Sequence, residues 1–163
     1  MKIKRLISIV ACWLALYTAS GQIQWKQVEP GVWKGMVGKP EAYSLLGVSG
    51  AAPLKEGFKL LPEVGLPAMA SGVVSRIEAG KTMLRLPLRK EEQLYGFGLN
   101  FQTVHQRGKI LNLHVDHYGG KDTGRTHAPV PFYVSSAGYG VFINSARYLT
   151  VYAGSAARKD SPE

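Results

Sequence analysis

The stretch "VPFYVSSAGYGVFINS", residues 130–145, carries the strongest local indication of the fold. Two apolar arms flank Ser136-Ala137-Gly138, and small residues of this kind form the tight turn between two antiparallel strands. The segment therefore predicts a β-hairpin. "RYLTVYAG", residues 147–154, follows it as one more strand with alternating apolar and polar positions.

A second hairpin is predicted upstream, in "GVVSRIEAGKTMLRLPLRK", residues 72–90. Its turn falls at Glu78-Ala79-Gly80-Lys81, and its second arm places Leu84, Leu86 and Leu88 on one face. Pro87 has no backbone N–H to donate to a neighbouring strand. The second arm is therefore expected at a sheet edge or a bulge.

The segment "KILNLHVDHY", residues 109–118, predicts a further strand with two different faces. The alternation gives an apolar face and a more polar one, as expected for a strand that is buried on one side only. Leu111, Leu113 and Val115 form the apolar face, and Ile110, Asn112, His114 and Asp116 form the other.

The N-terminal part of the chain gives weaker signals. "IQWKQVEPGVWKGMVG", residues 23–38, predicts two short strands interrupted at Glu29-Pro30-Gly31. Residues 38–67 are rich in Gly and Pro and are expected to be loop with short ordered pieces. With 19 Gly, 9 Pro and no helix-length amphipathic segment after residue 21, the chain is predicted to be an all-β, antiparallel β-sandwich.

The first 21 residues are typical of a signal peptide, which would precede the sandwich as a helix. Lys2, Lys4 and Arg5 precede an apolar run at residues 6–19, and "ASGQ" offers small residues for cleavage before Gln22. The run is short for a permanent membrane anchor. The expected organisation is a signal peptide at 1–21 and one domain at 22–163, exported to the periplasm or the outside.

Cys12, the single cysteine, lies inside this leader. "IVAC" resembles a lipoprotein box, but the apolar run before it is very short and continues past it, which argues against lipidation there. Removal of the leader would leave no cysteine, and hence no disulfide framework or thiol chemistry.

The charge pattern does not indicate a nucleic-acid partner. The formal charge of +9 falls to +6 without Lys2, Lys4 and Arg5, and the remaining basic residues are scattered along the chain. An exported protein also rarely meets nucleic acid. A solvated surface, or a preference for acidic glycans, fits this mild basic balance.

The histidines cluster, but not in a metal-binding pattern. His105, His114, His117 and His127 lie within 23 residues of sequence, with Asp116 and Asp122 among them. Their spacing lacks the close pairs of structural zinc sites, so no metal and no cofactor are expected. A polar loop that hydrogen-bonds a sugar, or a solvated loop, explains the cluster equally well.

Three catalytic or nucleotide-binding interpretations find little support. Asp116 and Asp122 resemble a glycosidase carboxylate pair, but aspartates are equally common in glycine-rich turns. Ser135 and Ser136 lack the G-x-S-x-G context of a hydrolase nucleophile. Gly96-Phe97-Gly98 begins a dinucleotide fingerprint without its third glycine, so it predicts a bulge or close backbone approach.

Five ordered elements together resemble the N-terminal region of glycoside hydrolase family 31, clearly over residues 91–154 and more weakly over 22–90. That family includes α-glucosidases, α-xylosidases, α-galactosidases and related transferases. The elements are Glu92 to Gly98, Arg107-Gly108, Asp116, Pro131-Phe132-Tyr133 and Gly138 to Ser145.

The resemblance implies a galactose-mutarotase-like β-sandwich that packs on a (β/α)₈ barrel, in an enzyme that hydrolyses α-linked glycosides with retention. Both catalytic aspartates of such an enzyme lie on the barrel, so none is assigned to this chain. One loop of the sandwich reaches the active-site rim, where an aspartate binds sugar hydroxyls. By position that residue is Asp116, with His117 beside it as a second candidate for substrate binding.

A barrel needs about 250 residues, more than this chain can add to a sandwich. We therefore expect an N-terminal region truncated before the barrel, inactive alone, whose last strands are missing and whose open sheet edge promotes association. The alternative is a stand-alone secreted carbohydrate-binding module. Its candidate stacking residues are Trp25, Trp33, Tyr118, Tyr133 and Tyr139.

Overall fold

The computed structural model of the chain describes residues 19–39, 41–49, 55–58, 60, 62–100, 103–115 and 128–155. Strands dominate these residues, and the helices are short. None of the helices in the described ranges is long and apolar enough to cross a membrane. The strands are β1 (Ala19–Gln22), β2 (Trp25–Glu29), β3 (Val32–Gly35), β4 (Val74–Glu78), β5 (Lys81–Arg85), β6 (Leu94–Gly98), β7 (Ile110–Leu113), β8 (Pro129–Ser135), β9 (Tyr139–Phe142) and β10 (Leu149–Tyr152).

The strands form four antiparallel sheets, with the orders β1-β4-β5, β2-β3, β6-β8-β9 and β7-β10. Antiparallel pairing throughout confirms the predicted all-β class. Two α-helical turns lie in residues 38–67, the segment that was expected to be loop with short ordered pieces, and a 3-10 helix follows directly after it. They are α1 (Leu45–Ser49), α2 (Lys55–Phe58) and the 3-10 helix Ala68–Gly72.

The core lies between the β6-β8-β9 sheet and the β7-β10 sheet. Each sheet turns one face inward, as the alternating burial along β8 shows. Burial of these apolar side chains is the main stabilising contribution to such a sandwich. The fully buried residues of this cluster are Leu94, Phe97, Leu111, Leu113, Tyr133 and Ala153.

Both predicted hairpin turns are present. Ala79 and Gly80 connect β4 to β5 with φ values of 48° and 74°, the left-handed conformations of a two-residue hairpin turn. Gly138, with φ of 85°, closes the turn between β8 and β9. The N-terminal hairpin of β2 and β3 turns at Pro30-Gly31, where the sequence predicted the interruption.

The arm that carries three leucines differs from its prediction. β5 ends at Arg85, before Pro87, and lies at the edge of its sheet as Pro87 suggested. Leu86 and Leu88 leave the strand and pack against the core, whereas Leu84 remains in the strand and is exposed. The expected common face of the three leucines is therefore wrong, because the strand ends between them.

The predicted signal peptide, residues 1–21, overlaps with strand β1. Residues 1–18 lie outside the described residues, so the predicted signal helix is untested there. Ala19–Gln22 is a strand that pairs with β4, with Gln22 opposite Val74. The predicted cleavage point before Gln22 therefore falls inside β1.

Candidate functional site

The Gly96-Phe97-Gly98 stretch is a backbone irregularity in β6 and not a nucleotide loop. All three residues have positive φ values, and the register with β8 shifts between Gly96 and Gly98. This geometry turns Phe97 into the core, where it is 1% exposed and its ring lies 5.0 Å from that of Tyr133. The predicted bulge or close approach is confirmed.

Both glycines are required by close backbone contacts. A Cβ on Gly96 would lie 2.7 Å from the carbonyl oxygen of Phe132, and one on Gly98 would lie 2.1 Å from that of Ala128. Distances this short are repulsive, so no larger residue fits without a shift of β8. Leu99 N–H also donates to the Ala128 carbonyl at 3.1 Å. The glycine pair therefore fixes the point at which the chain enters β8.

The two predicted substrate-binding residues, Asp116 and His117, lie outside the described residues, as do Asp122, Tyr118 and His127. The structure does place the two ends of the segment that carries them. It follows β7, which belongs to one sheet of the sandwich, and precedes β8, which belongs to the other. The segment therefore connects the two sheets, and its downstream end is fixed at Ala128 by the glycine pair.

Glu92, the first residue of the Glu92 to Gly98 element, forms a buried polar centre that was not predicted from the sequence. Its carboxylate is 4% exposed and accepts hydrogen bonds from Ser135 Oγ at 2.5 Å, from the Tyr139 hydroxyl and from Arg89 N–H at 3.0 Å. We call Glu92, Ser135 and Tyr139 the Glu92 cluster. It links the segment before β6 to both strands of the β8-β9 hairpin.

The hydrogen bonds control the ionisation of this cluster. Burial alone would raise the pKa of the Glu92 carboxyl, but the bonds from Ser135, Tyr139 and Arg89 outweigh it, so the pKa is lowered. Burial and the hydrogen bond to Glu92 raise the pKa of Tyr139 to about 12. Burial likewise raises the pKa of Tyr133. Glu92 is thus a stably ionised acceptor rather than a general acid poised near neutral pH.

Arg107 and Gly108 also form hydrogen bonds, the first with the segment before β6 and the second with the end of β10. Arg107 Nη1 donates to the carbonyl oxygens of Arg89 and Glu92, each at 2.9 Å. Gly108 has φ of 84°, and its N–H donates to the Ala153 carbonyl beyond β10. This turn therefore connects the segment before β6 to the end of β10.

The Asn144-Ser145 element holds the N-terminal segment in place. Ser145 Oγ bonds to Glu41 Oε2 at 3.0 Å, and Arg147 Nε lies 2.7 Å from Glu41 Oε1. Leu46 N–H, in α1, donates to Asn144 Oδ1 at 3.2 Å. These contacts could not be predicted from local sequence, because the bonded residues lie about a hundred positions apart.

The serine-triad interpretation is wrong for the described residues. Ser135 is bonded to Glu92 Oε1 and Ala137 N–H, and Ser136 Oγ accepts from Gln93 N–H. His105 pairs with Tyr95 through the backbone, and His114 lies edge-on to Tyr148. Within the described part of the chain, no three His, Cys, Asp or Glu side chains are grouped to hold a metal ion.

The aromatic residues proposed for a binding module are mostly engaged inside the fold. Tyr133 is buried in the core, and Tyr139 bonds to Glu92. Trp25 and Trp33 are half-buried, and their indole N–H groups donate to the carbonyls of Ala70 and Val64, at 3.3 and 3.5 Å. These rings stabilise the fold, which removes the main support for that set of stacking residues.

The described residues thus form antiparallel sheets around one core, with a left-handed Gly-Phe-Gly stretch in β6 and a buried glutamate at the base of the β8-β9 hairpin. The family is shown by a sequence match to the glycosyl hydrolase 31 N-terminal galactose mutarotase-like domain, over residues 59–151. The chain belongs to that family.

Individual relatives agree with this assignment. The chain is 38% identical over 65 residues to an alpha-xylosidase of Emericella nidulans, covering 40% of this chain and 8% of that protein. It is 33% identical over 57 residues to an isomaltosyltransferase of Sporosarcina globispora, covering 35% and 5%. It is 30% identical over 71 residues to alpha-xylosidase XylQ of Lactiplantibacillus pentosus, covering 44% and 9%. The matched part therefore spans less than a tenth of each relative.

Proposed function

We propose that this chain acts as the N-terminal, non-catalytic domain of an exported retaining α-glycoside hydrolase. In this role it packs on the catalytic barrel of that enzyme. It also supplies Asp116, on the segment between β7 and β8, to the rim of the active site. The substrate of the complete enzyme would be an α-linked oligosaccharide or glycoside.

The main support for this proposal is that residues of the family motif hold the fold together. Glu92, Gly96, Gly98 and Ser135 form the bulge and the buried hydrogen-bond centre of the sandwich. A carboxylate that accepts three internal hydrogen bonds has little capacity left for a substrate. The family motif therefore specifies a fold, and the chemistry is assigned to another part of the enzyme.

The outer face of the β6-β8-β9 sheet supports the packing role. β8 turns Val130, Phe132 and Val134 outward, next to Tyr95 of β6 and Phe142 of β9, and each is between 38 and 46% exposed. Contiguous apolar surface of this kind usually marks a site of contact with other polypeptide. Because the relatives are much longer than the matched segment, further polypeptide of the same enzyme is the occupant we propose.

Asp116 is suited to the rim role by its chemistry. A carboxylate accepts two hydrogen bonds from adjacent sugar hydroxyls, and these charge-assisted bonds are stronger than neutral ones. The support is positional, since the segment that carries Asp116 begins beyond β7 and ends at the Ala128 contact with Gly98.

Export rests on the leader at residues 1–21. Cleavage before Gln22 would remove Ala19, Ser20 and Gly21 from β1 and leave one edge of β4 without its partner. The mass of the protein recovered from the periplasm or the medium tests this directly. A mature chain that begins at Gln22 is expected, and a chain that retains Met1 inside the cell would contradict export.

The activity test compares the chain alone with the chain joined to a catalytic domain. The full chain is assayed with 4-nitrophenyl α-xyloside and α-glucoside, and again after it replaces the native N-terminal domain of the Lactiplantibacillus alpha-xylosidase. We expect no turnover from the chain alone and measurable turnover from the chimera.

Asp116→Asn in the chimera separates binding from chemistry, because a rim residue affects substrate affinity more than the reacting bond. The expected result is a KM about tenfold higher with a smaller change in kcat. Turnover by the purified chain alone would overturn the proposal. A wild-type KM in the Asp116→Asn chimera would remove its rim role.

A further inference from the structure

The outer face of the β7-β10 sheet carries polar side chains and exposed tyrosines among its described residues. Strand register places Thr150 opposite Asn112 and Tyr152 opposite Ile110, so these side chains share one face. Thr150 Oγ1 bonds to Asn112 Oδ1 at 3.2 Å. At the end nearest the Asp116 segment, the ring of Tyr148 lies 4.6 Å from that of His114. We call this set the outer β7-β10 face: Ile110, Asn112, His114, Tyr148, Thr150 and Tyr152.

Tyr148 is the most exposed member of this face, at 80%. Its ring meets His114 at an angle of 62°, an edge-on contact that holds one side of the ring and leaves the rest open to solvent. Tyr152 is also exposed, at 47%. Leu111, Leu113, Leu149 and Val151, on the opposite face, pack in or against the core. The inner face of this sheet is thus packed against the core.

The chemistry of this face suits a neutral, polyhydroxylated ligand. Among the described residues of the outer β7-β10 face there is no Lys, Arg, Asp or Glu. Aromatic rings pack against the C–H faces of sugar rings, and Asn and Thr side chains exchange hydrogen bonds with hydroxyls.

We infer that the outer β7-β10 face binds a neutral oligosaccharide through the rings of Tyr148 and Tyr152. Four residues of extended chain separate these tyrosines, which corresponds to about 13 Å. This distance exceeds one sugar ring, so the ligand class is an oligosaccharide rather than a monosaccharide. The inference depends on the proposed function only for the choice of glycans, and these residues are distinct from Asp116 and from the tryptophans considered above.

Calorimetry on the full chain tests the inference with three probes: maltoheptaose, isomaltoheptaose and a xyloglucan heptasaccharide. We expect at least one probe to bind. Tyr148→Ala should weaken that binding about tenfold, the scale expected when an exposed aromatic anchor is truncated. Tyr148→Phe keeps the ring and should retain most of the affinity, and Tyr152→Ala should give an intermediate loss.

Tyr43→Ala is the matched control, because Tyr43 is 74% exposed and lies on the segment before α1 rather than on this face. It should bind as the unmodified chain does. Circular dichroism melts of every variant verify that the fold is retained. Binding by none of the three probes, or equal binding by the Tyr148→Ala and unmodified chains, would overturn the inference. Either result would leave the chimera assay unaffected, so the two proposals fail separately.

Discussion

The Glu92 cluster and the outer β7-β10 face are both polar, but they use polarity in opposite ways. In the cluster a carboxylate is buried and its acceptors are filled by Ser135, Tyr139 and the backbone. On the outer face the aromatic rings of Tyr148 and Tyr152 remain exposed. Buried polar groups must be satisfied internally, whereas exposed ones are free to exchange water for a ligand. Substitutions in the cluster should therefore affect stability, and those on the face should affect binding.

The largest effect is expected from Gly98→Ala. A Cβ at this position would lie 2.1 Å from the Ala128 carbonyl oxygen, so β6 and β8 would have to separate. We expect a loss of about 3 kcal/mol or more in the free energy of unfolding, because the clash adds to the strain of a positive φ. Urea denaturation followed by circular dichroism measures it.

Gly138→Ala is the control for backbone strain without a clash. Gly138 has φ of 85°, but nothing lies within 4 Å of a Cβ there. It should cost about 1 kcal/mol. Equal losses at the two glycines would show that the contact with Ala128 contributes nothing beyond the conformational strain.

A smaller loss is expected from Glu92→Gln. The amide keeps the shape of the side chain but replaces charge-assisted hydrogen bonds with weaker neutral ones, which should cost about 2 kcal/mol at pH 7. Because folding lowers the pKa of Glu92, its contribution is complete above the ordinary value of 4.5 and is lost as pH falls through the folded value. The difference between the two proteins should therefore shrink at pH 3.

Glu91→Gln is the adjacent control, since Glu91 is exposed. It should change stability by less than about 0.5 kcal/mol at either pH. A loss for Glu92→Gln that is independent of pH would mean that packing, and not the ionised carboxylate, stabilises this centre.

The smallest effect is expected from Arg147→Ala. The ion pair with Glu41 is short, but the arginine side chain is 75% exposed and solvent screens the interaction. Exposed pairs of this kind contribute about 0.5 kcal/mol or less. Glu41→Ala, which also removes the bond from Ser145, should cost more. If thermal melts show the reverse order, Arg147 stabilises the protein through something other than its ion pair with Glu41.

Much of the fold follows from local sequence. The turns at Ala79-Gly80 and Gly138 and the two strands of the β8-β9 hairpin are encoded within a few residues, and all were predicted. Glu92 could not be recognised in this way, because it follows another glutamate and its partners lie 43 and 47 positions away. Long-range pairing leaves no local periodicity, so only the structure distinguishes the buried glutamate from the exposed one.

The candidate binding residues also differ in how far they could be predicted from the sequence. Asp116 was assigned by resemblance, and the structure adds only the positions of the strands on either side of its segment. Asn112 and His114 were placed on the same strand face from the sequence. The pairing with β10 supports this for Asn112. His114 lies beyond the end of β7, and its support is the ring contact with Tyr148. Tyr148 was not singled out, because its contact with His114 requires the register between β7 and β10, which the sequence does not specify.

The interval between Leu94 and Phe97 has a further consequence. Both side chains are buried, although three positions separate them and a regular strand returns to the same side every two. The alternation of β6 therefore changes phase at Gly96, and it does so without a loop. Loss or gain of a single residue here would send the Phe97 ring to the solvent side. The number of residues between Leu94 and Gly98 is therefore constrained as strictly as the residue types. A sequence alignment with a gap in this interval would assign buried positions of this strand to its exposed face.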